Sequence, residues 1–206
     1  KQSLMPLSDQ TVSEWADSYR MISGEAAAEL GDGEQIVLQY QKAIMDAFTE
    51  PGITRWLQRR ISVGSTDIMN NVMGGSHICA RTDNDDPTNI ETSQDYSKSR
   101  IAPMIRDTKV LEIIFKDVKS RDAGNTILSK QFPGGRLIMR VQQPAGLASK
   151  PIKILLADEV DRFPKSAGTE GDPVSLAAKR MTTFWDSVMG LFSTPTNAGD
   201  SRIEDE

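Results

Sequence analysis

Ile154-Leu155-Leu156-Ala157-Asp158-Glu159 is the stretch whose reading decides the fold. An apolar run this compact, followed at once by adjacent carboxylates, reads as a buried strand that delivers Asp158 and Glu159 to its carboxyl end. Downstream, Val188-Met189-Gly190-Leu191-Phe192 repeats the pattern and ends in Ser193-Thr194-Pro195-Thr196. Apolar strands ending in polar residues, with helical segments between them, predict a mostly parallel α/β sheet with its site along the carboxyl edge.

Upstream, residues 1 to 30 read as a polar lead-in and a helix, with Ser8 or Thr11 as cap and Val12, Trp15, Ala16 and Tyr19 at helical spacing. A second helical pattern runs from Gln35 to Phe48 and stops at Pro51-Gly52. The expected organisation is therefore a small N-terminal helical segment over residues 1–50, ahead of a core over 51–206. Ile53 to Ile61 is a strand candidate, polar for a buried position, leading through Ser62-Val63-Gly64-Ser65-Thr66 into a helix from Asp67 to Met73. Arg81 to Ser99, rich in Asp, Asn, Thr and Ser, reads as a loop with a short helix starting near Thr92. Helices are predicted from Ser97 to Ile105 and from Val110 to Phe115. Asn125–Gln131 and Leu137–Val141 flank Phe132-Pro133-Gly134-Gly135-Arg136 and predict a β-hairpin. Trp15 and Trp185 stand at helical spacing with apolar neighbours and are expected in the core rather than as stacking platforms.

Composition excludes several classes. The apolar runs, such as Ile152 to Ala157, fall far short of the ~20 residues a spanning helix needs, and no signal-like run follows the N-terminal lysine, so a soluble, cytosolic protein is expected. Cys79 is the single cysteine and His77 the single histidine, which excludes an internal disulfide and a zinc site built from those residues. A net charge of -5 argues against a protein coated in nucleic acid, because such binding rests on neutralising many phosphates. The pairs Arg59-Arg60 and Lys179-Arg180 read first as solvated surface, and Arg106-Asp107 and Arg121-Asp122 as surface or hinge ion pairs.

Two acids at a strand tip suit nucleoside-triphosphate hydrolysis: the first holds hydrated magnesium, and the second orients or deprotonates the attacking water. Asp158 and Glu159 fit those roles, although a strand running into an acidic surface loop is common. Hydroxyl residues at the tip of the neighbouring strand, Ser193 and Thr194 first, are placed to sense a γ-phosphate and pass the signal on. Asp161-Arg162-Phe163 reads either as a loop over the nucleotide or as a capped turn ending at Pro164.

Four stretches carry a resemblance: Thr11-Val-Ser-Glu-Trp-Ala-Asp-Ser-Tyr-Arg20, Arg100-Ile-Ala-Pro-Met-Ile-Arg-Asp107, Pro144-Ala-Gly-Leu-Ala-Ser-Lys-Pro-Ile152 and Leu156-Ala-Asp-Glu-Val-Asp-Arg-Phe-Pro164. With Glu170 to Pro173, Arg180 to Trp185 and Ser193 to Thr196 following in order, the chain resembles the large terminase subunits of lambda-type tailed phages. The resemblance implies a P-loop NTPase of the RecA/helicase-like kind that uses ATP and Mg2+ to drive double-stranded viral DNA through a portal into a procapsid, in the host cytoplasm. It also implies a terminase small subunit as partner, a homo-oligomeric ring during packaging, and no membrane. In the family a nuclease domain follows, and nothing in these residues corresponds to it, so an isolated motor domain or a truncated product is expected.

The family's phosphate loop is an apolar strand, then Lys-Ser-Ala, two variable residues, Gly, Lys and Ser or Thr. This sequence has Arg59-Arg60-Ile61-Ser62-Val63-Gly64-Ser65-Thr66, with Ser65 where the second lysine stands. By the resemblance Arg60, Ser62, Gly64, Ser65 and Thr66 would line the phosphates, Thr66 and Asp158 would hold the metal, and Glu159 and Arg59 would be catalytic, Arg59 acting on the γ-phosphate. The expected function is an ATP-hydrolysing packaging motor. The alternatives are a catalytically inactive, terminase-like structural or DNA-binding protein, which Ser65 supports, and a different P-loop translocase.

Overall fold

The computed structural model describes residues 10–24, 33–34, 37–58, 64–76, 80–83, 90–116, 126–133, 135–141, 151–166, 171–197, 199 and 201–205. Ser8, His77, Cys79 and Arg121-Asp122 lie outside them. Helix α1 (Val12–Tyr19) starts at a capping box: Thr11 Oγ1 accepts from the Glu14 N–H, and the Glu14 carboxylate accepts from the Thr11 N–H. A short antiparallel pair, β1 (Met21–Ile22) with β2 (Gly33–Glu34), precedes α2 (Gln39–Asp46), which is shorter than the Gln35–Phe48 pattern. Then come β3 (Arg55–Gln58), α3 (Ser65–Ser76), β4 (Ala80–Asp83), α4 (Ile90–Tyr96), a π-helical turn Ser97–Ile101, α5 (Ala102–Asp107) and α6 (Lys109–Lys116). The hairpin β5 (Ser129–Phe132) and β6 (Gly135–Val141) follows, then β7 (Ile154–Asp158), a 3-10 turn Val160–Arg162, α7 (Pro173–Met181), β8 (Val188–Phe192) and α8 (Arg202–Asp205).

Among the described residues the main sheet has the order β3-β8-β7-β4-β6-β5, parallel throughout except for the terminal hairpin. Alternation along β7 sends Ile154 and Leu156 into a core shared with α1, α2 and α3, and Leu155 and Ala157 into a second core with Val160, Phe163, Val174, Ala177, Met181 and Ile203. Burial on both faces is why the run is apolar without interruption. On β8, Val188 and Phe192 face the first core, Met189 and Leu191 the second. Gly190 keeps the first face open, since a Cβ there would lie 2.6 Å from the Phe48 ring.

Three readings need correction. Arg81–Ser99 is not a loop at its start: Ala80–Asp83 forms β4, laddered in parallel to β7 on one side and β6 on the other. A strand of four polar-rich residues carries no hydrophobic period, and backbone pairing on both sides overrides its composition. Trp185 is 91% exposed, not in the core. It falls in the turn after α7 has ended at Met181, so helical spacing does not apply there. The helix predicted over Ser97–Ile105 is a π-helical turn and then α5. By contrast the polarity of β3 has a simple cause, since it is the edge strand of this order and Arg55 is exposed. Lys179 and Arg180 are exposed as read, and Arg106 pairs with Asp107 at 2.6 Å on the surface.

The two N-terminal helices pack with α3 against one face of the sheet and share its core. The Trp15 indole lies flat against Gly74 and Gly75 of α3, and a Cβ on Gly74 would come within 2.3 Å of the ring. Overpacking a buried, rigid indole costs about 1–3 kcal/mol, against a helix-propensity gain of ~1 kcal/mol for replacing glycine by alanine. Gly74→Ala is therefore expected to lower the urea midpoint with an unchanged slope, and a raised midpoint would show that the indole is free to move aside.

Candidate functional site

Register brings the Asp158-Glu159 tip and the Ser193-Thr194 turn to one edge, with the end of β3 beside them. Gln58 at the end of β3 is level with Phe192 at the end of β8, and Leu191 is level with Ala157 of β7. Strand β3 and the strand carrying the acids are thus separated by β8 alone, two strand spacings or roughly 10 Å apart. The Ser193–Thr196 turn emerges between them. Asp83 of β4 stands beside Asp158 in the ladder, a neighbour that the sequence reading placed in a loop.

Residues 59–63 lie outside the described residues, so Arg59, Arg60 and Ser62 are known here by sequence position only. Beyond them Gly64 has φ +74, and its carbonyl accepts the N–H of Ile68, the first bond of α3. Glycine suits position 64: its backbone is left-handed, and a Cβ would sit 2.4 Å from Gln41 Nε2, so the end of that side chain would have to shift. Ser65 and Thr66 open α3, half-buried, at the end of the helix whose dipole favours an anion. Gln41 was not singled out in the sequence, and its buried position beside Gly64 depends on a contact between segments far apart in the chain.

At the end of β7 Asp158 is half-buried, and its Oδ1 accepts the N–H of Glu159 at 3.1 Å. Glu159 is the one non-glycine residue with positive φ among the described residues, at φ 52 and ψ 45. Left-handed backbone costs a side-chain-bearing residue about 1–3 kcal/mol and collects at functional sites. Its carboxylate lies 3.7 Å from Arg162 Nε. Asp161-Arg162-Phe163 forms a turn whose Phe163 N–H bonds the Val160 carbonyl.

Asp161 also reaches across to the neighbouring turn. Its N–H donates to Ser193 Oγ at 3.1 Å, while its Oδ2 accepts from Thr196 N–H at 2.9 Å and Thr196 Oγ1 at 3.1 Å. Its Oδ1 accepts the N–H of Ile203 at 2.8 Å. Burial pushes this carboxyl up, but hydrogen bonds from the Ile203 N–H and from the N–H and hydroxyl of Thr196 outweigh it and hold the group below its ordinary value. Nothing in the sequence marks this role, because its partners are 32 to 42 positions away.

A left-handed glycine just ahead of α3, an acid pair at the tip of β7 and a hydroxyl turn after the strand beside it suit the P-loop NTPase fold of the α/β class. The chain belongs to the phage terminase large subunit gpA ATPase domain family, which matches residues 27–206. It is 27% identical over 216 aligned residues to the terminase large subunit of Escherichia phage lambda, covering 98% of this chain and 32% of that protein. In fold it is similar to the crystal structure of the HK97 bacteriophage large terminase, with a TM-score of 0.64 at 12% identity over 95% of this chain and 40% of that one. The chain thus spans well under half the length of either relative. No helix among the described residues is long and apolar enough to cross a membrane.

Two outcomes follow from these local geometries. Glu159→Gly relieves the left-handed strain and is expected to raise stability by about 1 kcal/mol over Glu159→Ala, measured by thermal unfolding; equal stabilities would mean the backbone relaxes there at no cost. Because the Asp161 carboxyl is held below its ordinary 3.8, its contribution is complete above that value and is lost as pH falls through the folded-state value. Asp161→Asn should accordingly flatten the fall in stability below about pH 5, and a decline as steep as that of the unaltered chain would refute the assignment.

Proposed function

We propose that this chain is the ATP-hydrolysing motor part of a phage DNA-packaging machine, translocating double-stranded viral DNA into a procapsid. The observation that carries the reading is the carboxyl edge of the sheet, where the end of β3 and the Asp158-Glu159 tip of β7 flank β8, which runs on into Ser193 and Thr194. Membership in the terminase ATPase-domain family supports it. The partners follow from the same reading: viral DNA, a terminase small subunit, the portal and sister subunits in a ring, all in the host cytoplasm.

The donor set fits magnesium, a hard cation that accepts few protein ligands and keeps its waters: the hydroxyl of Thr66 and the carboxylate of Asp158 would hold it. When bound, the ion neutralises charge on the phosphate oxygens. Gly64, Ser65 and, by sequence position, Arg60 and Ser62 cradle the phosphates, the α3 N-terminus adding its dipole. Glu159 takes the proton of the attacking water as its oxygen bonds to the γ-phosphorus and the bond to the β–γ bridging oxygen breaks, releasing ADP and phosphate. Arg59 offsets the charge on the γ-phosphate, and Ser193 and Thr194 register its loss. Serine at position 65 supplies no cation, so Arg59 and the helix end bear that work.

The test is binding of a fluorescent ATP analogue with and without magnesium, then steady-state hydrolysis. Asp158→Asn is expected to weaken magnesium-dependent binding about tenfold, and Glu159→Gln to leave binding intact while lowering kcat by roughly 10²–10⁴. No binding at millimolar nucleotide by a folded sample would make the chain a terminase-like scaffold instead.

A further inference from the structure

We infer that Asp161 is a positioning residue through which the acid-bearing loop is mechanically joined to both the Ser193–Thr196 turn and the C-terminal helix α8. The inference rests on the nucleotide-hydrolysing reading above and adds a residue that the reading does not use.

A turn acid with a local role accepts N–H groups from its own turn. Asp161 does the opposite: the carboxylate contacts described above come from positions 35 and 42 residues onward, and its own N–H reaches Ser193. One oxygen serves the Thr196 end of the turn and the other serves Ile203, so a single carboxylate holds two segments in fixed relation. Its neighbours cannot easily drift. Val160 is fully buried and packs with Phe163, Leu155, Leu191 and Ile203, so the apolar floor beneath these ties is shared by strand, turn and helix. A second fastening acts on the same helix: Arg202 Nη1 donates to Asp172 at 2.5 Å and Nη2 to the Pro164 carbonyl at 3.0 Å. Asp172 is in turn the cap of α7, its Oδ2 accepting the Ser175 N–H at 2.6 Å. The backbone two residues before Asp161 is the left-handed Glu159, the point at which a change in the pocket would first alter the course of the loop. Displacement of that loop is therefore handed to the hydroxyl turn and to α8 together, as hydrogen bonds to a charged acceptor rather than as apolar sliding.

The test uses the 206-residue chain, comparing it with Asp161→Ala, Asp161→Asn and Thr196→Val. The readouts are affinity for a magnesium–ATP analogue, kcat and KM for hydrolysis, and amide hydrogen exchange at Thr196 and Ile203 with and without that analogue. In the unaltered chain the analogue should slow exchange at both amides. In Asp161→Ala affinity and KM should stay unchanged while kcat falls roughly tenfold and both amides lose their response to nucleotide. Asparagine keeps one carbonyl oxygen, so Asp161→Asn should preserve the response at one of the two amides only; this variant also decides the matter if alanine unfolds the chain. Thr196→Val, which retains the N–H donor, should keep both responses. Retention of both responses in a folded Asp161→Ala variant overturns the inference. Nucleotide binding without any change at Thr196 or Ile203 in the unaltered chain overturns it alone, whereas no binding at all overturns the proposed function and this inference with it.

Discussion

Strand β8 is paired in parallel on both sides, to β3 and to β7, and the rest of the arrangement depends on that double ladder. It requires a strand apolar on both faces and, at its centre, a residue small enough for Phe48 to close over it, a demand that Gly190 meets. With β8 in place, the end of β3 and the Asp158-Glu159 tip are held two strand spacings apart, and the residues that follow Phe192 emerge between them. The hydroxyl turn is thus put beside the acids by sheet order rather than by any property of its own.

On that rigid edge sit two residues whose local conformations run against the general trend. Glu159 keeps a left-handed backbone that glycine would adopt more readily, and the chain bears this cost directly after a strand none of whose residues has positive φ. Asp161, two positions on, stays ionised by gathering donors from remote segments. Strain at one and imported hydrogen bonds at the other make the segment after β7 the most specifically shaped turn in the described structure, and it is the segment that carries the proposed base.

How much of this was legible depended on whether the governing force is local. The strands β7 and β8 announce themselves because burial on both faces leaves an unbroken apolar run, and the hairpin does so through its glycines. Helix α1 was marked by Thr11, which caps it. Strand β4 was hidden, because its four residues are held by backbone ladders that impose no hydrophobic pattern. Trp185 misled for a related reason: spacing says nothing about where a helix stops, and α7 stops first. Within the site, the acid pair and Gly64 could be read from adjacency and turn chemistry, while Gln41 beside Gly64 and the remote partners of Asp161 exist only once the chain has folded.

Position 65 sits at the first residue of α3, half-buried, on backbone that any side chain can adopt. The conformational constraint falls one residue earlier, on Gly64, whose left-handed backbone favours glycine. Serine in place of lysine is therefore a change of charge at a helix end whose backbone places no demand of its own on the side chain.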